Sequence, residues 1–131
     1  MGLFDKLFGG SDEPQQQDIT PWIDLTENEQ LDTIIVNSKT KPQLIFKHST
    51  RCGISRMVIN QFKKDFKLIE NEADLYYLDL LTYRDISQAI EDRFNVVHES
   101  PQLLVVKNGV VVKHASHGDI NDLNLDSLIL L

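Results

Sequence analysis

The chain has 131 residues and a formal net charge of -7 at pH 7, which predict a single domain large enough to bury a core. The acidic balance disfavours nucleic acid, because phosphate binding needs clustered lysine and arginine. A single cysteine excludes an internal disulfide framework, and the lack of an apolar run near about 18 residues excludes a membrane span. The first eight residues lack the apolar core of a signal peptide, so we expect a reducing cytoplasm.

Residues 1–18 are predicted to form a flexible amphipathic tail and linker. Leu3, Phe4, Leu7 and Phe8 recur at helix-compatible spacing, and the polar stretch 9–17 follows them. Two interpretations remain open: contact with a membrane surface or a partner, and a frayed terminus. The domain itself is expected to span residues 19–131.

The first half of this domain is predicted to alternate strands with helices. An edge strand is expected over 19–23, and Thr26-Glu27-Asn28-Glu29 matches a capping box at a helix start. The apolar run Leu44-Ile45-Phe46 then predicts a buried strand that leads to Cys52. A long helix follows with a broad buried face, made of Ile54, Val58, Ile59, Phe62, Phe66 and Ile69.

The second half is predicted to contain three strands and two helices. Residues 75–81 form an apolar run that suits a central strand, and Thr82 is expected to cap the next helix. A strand over 102–106 is joined by Asn108-Gly109 to a partner strand, since Asn-Gly between apolar runs is a strong hairpin signal. A last helix is expected to begin at Asp119.

This order of elements gives a βαβ half followed by a ββα half, with a thiol after the strand that enters the long helix. Such an arrangement resembles the thioredoxin fold. The predicted class is therefore α/β, with a central mixed sheet flanked by helices.

Cys52 is the candidate nucleophile. It is predicted to lie at the first turn of a helix, where unpaired N–H groups and the helix dipole favour a thiolate, and the neighbouring Arg51 adds positive charge. Ser55 completes a Cys-x-x-Ser pattern and is either a hydrogen-bond donor to the thiolate or a helix-start residue. The alternative, a buried structural thiol, is disfavoured because the turn also contains the polar Thr50 and the flexible Gly53.

A second candidate segment lies around Ser100-Pro101, directly before a predicted strand. In thioredoxin-like proteins the proline at this place is cis and packs against the cysteine turn, and the residue before it pairs with an extended thiol substrate. The resemblance assigns these roles to Pro101 and Ser100. His98 and Glu99, beside them, are expected to shape a polar site. The spacing of the histidines around Cys52 matches no zinc motif, so no metal site is predicted.

A closer resemblance rests on His48-Ser49-Thr50-Arg51-Cys52 with Ile54-Ser55, on the segment 98–102 and on the Asn108-Gly109 hairpin. These motifs are similar to those of the YtxJ-type monothiol bacilliredoxins of the bacillithiol system, over residues 19–131. That family usually has Cys-Pro-Ile-Ser where this chain has Gly53 after the cysteine. The buried strand carboxylate of thioredoxin itself would align near Phe46, so its proton transfer is not expected here.

The resemblance implies removal of bacillithiol from mixed disulfides on client proteins by the Cys52 thiolate. Bacillithiol would be the thiol co-substrate, with no bound cofactor, and recycling would need an external thiol or a partner redoxin. Two alternatives remain. Cys52-Gly53-Ile54-Ser55 is also similar to the Cys-Gly-Phe-Ser of monothiol glutaredoxins, which hold a [2Fe-2S] cluster. The third is a non-catalytic interaction module.

Overall fold

The computed structural model describes residues 20–66 and 71–129, so the predicted tail, and Ile69, lie outside the described residues. The strands and helices follow one another in the order β1 (Trp22–Asp24), α1 (Glu29–Asn37), β2 (Gln43–His48), α2 (Gly53–Phe66), β3 (Asp74–Asp79), α3 (Arg84–Phe94), β4 (Gln102–Lys107), β5 (Val110–Ser116), a 3-10 helix (His117–Asp122) and α4 (Leu125–Ile129).

The five described strands form one mixed sheet in the order β1-β3-β2-β4-β5. Strands β1, β3 and β2 are parallel, whereas β4 is antiparallel to both β2 and β5. Asn108 and Gly109 have φ angles of 53° and 82°, as the hairpin turn requires. The predicted βαβ and ββα halves and the mixed sheet are confirmed, with β2 at the centre.

The central strand β2 separates two apolar cores, because its side chains alternate between the faces of the sheet. Leu44 and Phe46 join the core formed with α2, the 3-10 helix and α4. Ile45 joins the opposite core, formed with α1 and α3. Lys47 therefore lies on the α1 and α3 face, and His48 on the α2 face. This alternation decides which loop each of the two residues reaches.

The predicted capping box at the start of α1 is wrong. The helix begins at Glu29, and Asn28 at its cap position makes no side-chain capping bond. The side chain of Gln30 instead accepts hydrogen bonds from the N–H groups of Thr26 and Glu27, at 2.8 and 3.0 Å. Its amide group donates to the Asp24 carbonyl. Because Gln30 satisfies these groups from inside the helix, the capping box is not needed.

The predicted cap at Thr82 is also wrong. Helix α3 begins at Arg84, with Tyr83 at the cap position and no side-chain capping bond. The Thr82 hydroxyl donates to the Asp79 carboxylate at 2.9 Å, and the N–H of Leu81 donates to the same carboxylate at 3.2 Å. Thr82 therefore closes the turn that follows β3.

Two further expectations are corrected. The single helix predicted from Asp119 is a 3-10 helix and α4, separated because Leu123 is extended, which lets Ile120 and Leu125 both reach the core. Ile54, expected in the buried face of α2, is 60% exposed, because the first turn of this helix adjoins the open Cys52 turn.

Candidate active site

Cys52 lies at the entrance of α2, after the short turn that follows the central strand. Its N–H donates to the Ser49 carbonyl at 3.2 Å, which closes a turn, and its carbonyl accepts the Arg56 N–H at 3.1 Å, which opens the helix. The residue is partly exposed and unpaired in any disulfide. At this position the N–H groups of the first helical turn have no partner within the helix, and the helix dipole has its positive end.

The turn around Cys52 consists of exposed polar residues. Thr50, Arg51 and Gly53 are all exposed, and the Arg56 guanidinium donates to the Thr50 carbonyl at 3.2 Å. A Cβ atom placed on Gly53 would meet only the Arg56 side chain, at 3.9 Å, which is an ordinary contact. Space therefore does not require glycine after the cysteine.

The Ser100–Pro101 peptide bond is cis, as the resemblance implies. Gln102, the next residue, pairs with Lys47 across β4 and β2, so Pro101 lies beside the end of the strand that leads to Cys52. Both predicted segments thus reach the same end of the sheet. The Ser100 hydroxyl oxygen is buried and has no hydrogen-bond partner among residues 20–66 and 71–129.

Ser55 is fully buried, and its hydroxyl oxygen lies 2.7 Å from His48 Nδ1. It also accepts the Ser49 N–H at 3.1 Å. Burial lowers the pKa of His48; Asp79 opposes this shift, and the cations Lys63 and Arg56 add to it. A neutral imidazole with an unprotonated Nδ1 accepts a hydrogen bond from the Ser55 hydroxyl. Ser55 therefore links the end of β2 to the start of α2 and braces the turn between them. Its predicted bond to the Cys52 thiolate is not among the contacts of the described residues and stays a prediction.

Lys47 is the residue that the sequence interpretation missed. It is fully buried, and its Nζ lies 3.2 Å from Nδ1 of His98. The Ser87 hydroxyl lies 3.0 Å from the same ring nitrogen. Burial lowers the pKa of Lys47 to about 8, and the Glu91 carboxylate acts in the opposite direction. A lysine directly after the predicted buried strand Leu44-Ile45-Phe46 was the available signal.

His98 and Glu99 are held in a braced segment before Pro101. The His98 N–H donates to a Glu91 carboxylate oxygen at 3.1 Å, and the Glu99 N–H donates to the Gln102 side chain at 3.4 Å. Gln102 is buried and also donates to the Val97 carbonyl at 3.0 Å. The side chain of His98 faces Lys47, on the α3 side of the sheet. His98 therefore belongs to a polar cluster with Lys47 and Ser87. Within the described residues it makes no hydrogen bond to Cys52, and its role in shaping the site stays a prediction.

The electrostatics of His98 follow from the same surroundings. Burial lowers the pKa of His98, the Lys47 ammonium lowers it further, and Glu91 and Glu99 act in the opposite direction. The imidazole is therefore neutral near pH 7, and its Nδ1 can accept a hydrogen bond from the Lys47 ammonium.

Two cavities flank the thiol turn. One of about 370 Å³ lies between this turn and the start of α3, and its lining includes Thr50, Arg51 and Arg84. The other, of about 400 Å³, lies along α2 on the opposite side, and its lining includes His48 and Arg56. Neither lining includes Cys52 itself, and the first includes Arg51, which precedes it in the sequence.

The described parts of the chain contain no group of three or more histidine, cysteine, aspartate or glutamate side chains placed to hold a metal ion. Within the same ranges, no helix has the length and apolar character needed to cross a membrane.

Comparison with known proteins agrees with this geometry. A solved structure described as a candidate oxidoreductase with a thioredoxin fold is 36% identical, covers 82% of this chain and 93% of its own, and superposes with a TM-score of 0.71. Mitochondrial thioredoxin 3 from Saccharomyces cerevisiae is 18% identical, with 87% and 98% covered and a TM-score of 0.66. Thioredoxin O2 from Arabidopsis thaliana is 17% identical, with 85% and 93% covered and a TM-score of 0.62. The last two show a shared fold.

The family model described as monothiol bacilliredoxin BrxC matches residues 23–125, which include every element from β2 to the 3-10 helix. Because this match spans most of the chain and contains both Cys52 and Pro101, the protein belongs to the monothiol bacilliredoxin BrxC family.

Proposed function

We propose that this protein is a thiol–disulfide oxidoreductase that removes bacillithiol from mixed disulfides on client proteins. The observation that carries the proposal is that the chain's single cysteine is partly exposed at the start of α2, at the same end of the sheet that the cis Ser100–Pro101 segment reaches. Family membership supports thiol redox chemistry in general. The proposal adds two points to this general chemistry: the small thiol is bacillithiol, and the compartment is a reducing cytoplasm.

The first step is a thiol–disulfide exchange. The Cys52 thiolate attacks the bacillithiol sulfur, a new sulfur–sulfur bond forms, and the client cysteine leaves as a thiolate that takes up a proton. The client is reduced, and Cys52 holds the bacillithiol as a mixed disulfide. Arg51 and the helix dipole favour the attacking thiolate, and the backbone beside Ser100 aligns the disulfide.

The second step needs a thiol from outside the chain, since the sequence has no other cysteine. A second bacillithiol, as thiolate, attacks the bacillithiol sulfur on Cys52 and forms bacillithiol disulfide. Cys52 leaves as a thiolate and the cycle closes. A partner redoxin serves as the alternative reductant. Bacillithiol is thus a co-substrate, and no bound cofactor takes part.

The test incubates the reduced protein with a client that carries bacillithiol on one cysteine and follows both proteins by intact mass. The expected result is a bacillithiol adduct on wild-type protein, matched by loss of the adduct from the client, and none on Cys52→Ser. Failure of the wild-type protein to gain the adduct would refute the proposal. A coloured, dimeric preparation in place of exchange would instead favour an iron–sulfur carrier.

A further inference from the structure

The cavity between the Cys52 turn and the start of α3 has an unusual charge for this protein. The chain is acidic overall, yet two arginines, Arg51 and Arg84, are among the residues that line this space of about 370 Å³. Arg51 directly precedes Cys52, so the cavity lies beside the nucleophile. Its volume is in the range of small-molecule sites.

The acidic residue of the lining, Asp79, is already engaged by its own turn. One of its carboxylate oxygens accepts the Leu81 N–H at 3.2 Å, and the other accepts the Thr82 hydroxyl at 2.9 Å. In the described part of the chain, no carboxylate lies within 4.0 Å of the Arg51 or Arg84 guanidinium. The two cations outnumber the single anion, so the cavity has excess positive charge.

Two other arginines are engaged by partners within the protein. Arg93, on the last turn of α3, forms an ion pair with Asp32 at 2.6 Å. Arg56 donates to the Thr50 carbonyl. Arg84 also lines a smaller cavity of about 230 Å³ that reaches His98, on the segment before Pro101. Arg84 therefore stands between the thiol turn and the second predicted segment of the site.

We propose that Arg51 and Arg84 form a carboxylate-binding subsite for the low-molecular-weight thiol that is exchanged at Cys52. This inference rests on the proposed function and adds a specificity determinant to it: the small thiol must bear carboxylates. Guanidinium groups bind carboxylates through paired, charge-assisted hydrogen bonds, which are stronger than neutral ones. Bacillithiol fits this requirement, because its malyl group carries carboxylates.

The test compares two mixed disulfides of one client peptide, one with bacillithiol and one with the neutral thiol 2-mercaptoethanol. The rate of adduct formation on Cys52 is measured for wild-type protein, Arg84→Gln, Arg84→Lys and the control Arg93→Gln. We expect Arg84→Gln to slow transfer of bacillithiol roughly tenfold or more and to leave transfer of mercaptoethanol nearly unchanged. Arg84→Lys should retain part of the rate, and Arg93→Gln all of it. Added salt should slow only the bacillithiol reaction.

Equal effects of Arg84→Gln on both disulfides, or no effect on either, would overturn the subsite while leaving the proposed function intact. Absence of any bacillithiol adduct on the wild-type protein would instead remove the proposed function. A binding measurement separates the two further: reduced bacillithiol is titrated into Cys52→Ser and into Cys52→Ser with Arg84→Gln, by isothermal calorimetry. Weaker binding in the double variant supports the subsite, and equal binding contradicts it.

Discussion

Replacement of Lys47 by methionine should stabilise the protein near neutral pH. Burial lowers the pKa of Lys47 from an ordinary value of 10.5 to about 8, so the folded protein holds the ammonium proton less tightly than the unfolded chain does. At about 1.4 kcal/mol for each tenfold change in proton affinity, this difference corresponds to about 3 kcal/mol of destabilisation at pH 7. Methionine removes that cost and nearly fills the same volume.

One contact is lost in the exchange. The Lys47 ammonium no longer donates to His98 Nδ1, which removes about 1 kcal/mol. His98 does not become unsatisfied, because the Ser87 hydroxyl remains 3.0 Å from the same nitrogen. The expected net effect of Lys47→Met at pH 7 is therefore a gain of about 2 kcal/mol in the free energy of unfolding.

The sign of the pH dependence provides a second measurement. Between about pH 8 and 10.5 the unfolded state binds more protons than the folded state at Lys47, so wild-type stability rises with pH in this window. Urea unfolding at pH 7.5 and 9.5 should show the advantage of Lys47→Met shrinking by about 2 kcal/mol. The exposed Lys64→Met serves as the matched control, with little change at either pH.

Two outcomes would refute this reasoning. A Lys47→Met protein that unfolds at lower urea concentration than the wild type at pH 7 would mean that the ammonium is stabilising. An advantage that stays constant between the two pH values would mean that Lys47 keeps an ordinary pKa in the folded state.

Three further predictions concern the site. Ser55→Ala should lower the free energy of unfolding by about 1 to 3 kcal/mol, because His48 Nδ1 and the Ser49 N–H lose their hydrogen-bond partner. The ultraviolet absorbance of the thiolate, followed against pH, should change little in this variant. A large change would support the predicted role of Ser55 as a donor to the thiolate. Gly53→Pro should raise urea stability by about 0.5 to 1 kcal/mol, since proline suits the first helical position, and a loss would show that the turn cannot accept it. Gln102→Ala should slow bacillithiol transfer and reduce the amide protection of residues 97–99 in hydrogen exchange, because the Gln102 side chain makes hydrogen bonds to this segment. Unchanged amide protection would contradict this role of Gln102.

The parts of the fold that could be predicted are those encoded by neighbouring residues. The apolar run before Cys52, the Asn108-Gly109 turn and the Ser100-Pro101 pair are local signals, and each is followed by the predicted element. The capping box at residues 26–29 failed although it is also a local signal, because a residue just outside the box takes one of its hydrogen-bond donors. Thr26 matched a cap by spacing, but the Thr26 N–H, which Glu29 would accept in a capping box, donates instead to the Gln30 side chain, which also donates to the Asp24 carbonyl.

The contacts that brace the site could not be predicted, because they join elements far apart in the sequence. Lys47 meets His98 only after β2 pairs with β4 and α3 covers that face of the sheet. Ser55 lies at the start of α2, as the sequence predicts, but its buried hydrogen-bond partner is His48. That contact depends on which face of the sheet the His48 side chain occupies at the end of β2. Periodicity alone does not fix such partners.

Consecutive residues at the end of β2 explain how one strand supports both halves of the site. Phe46, where thioredoxin would have its buried carboxylate, packs instead against Phe62 of α2, with ring centroids 5.1 Å apart. The buried ionisable groups come next along the strand. His48 reaches the α2 face and braces the cysteine turn through Ser55, while Lys47 reaches the opposite face and meets the segment before Pro101 through His98. Because adjacent strand residues face opposite sides, a shift of β2 by one residue would disconnect both loops together.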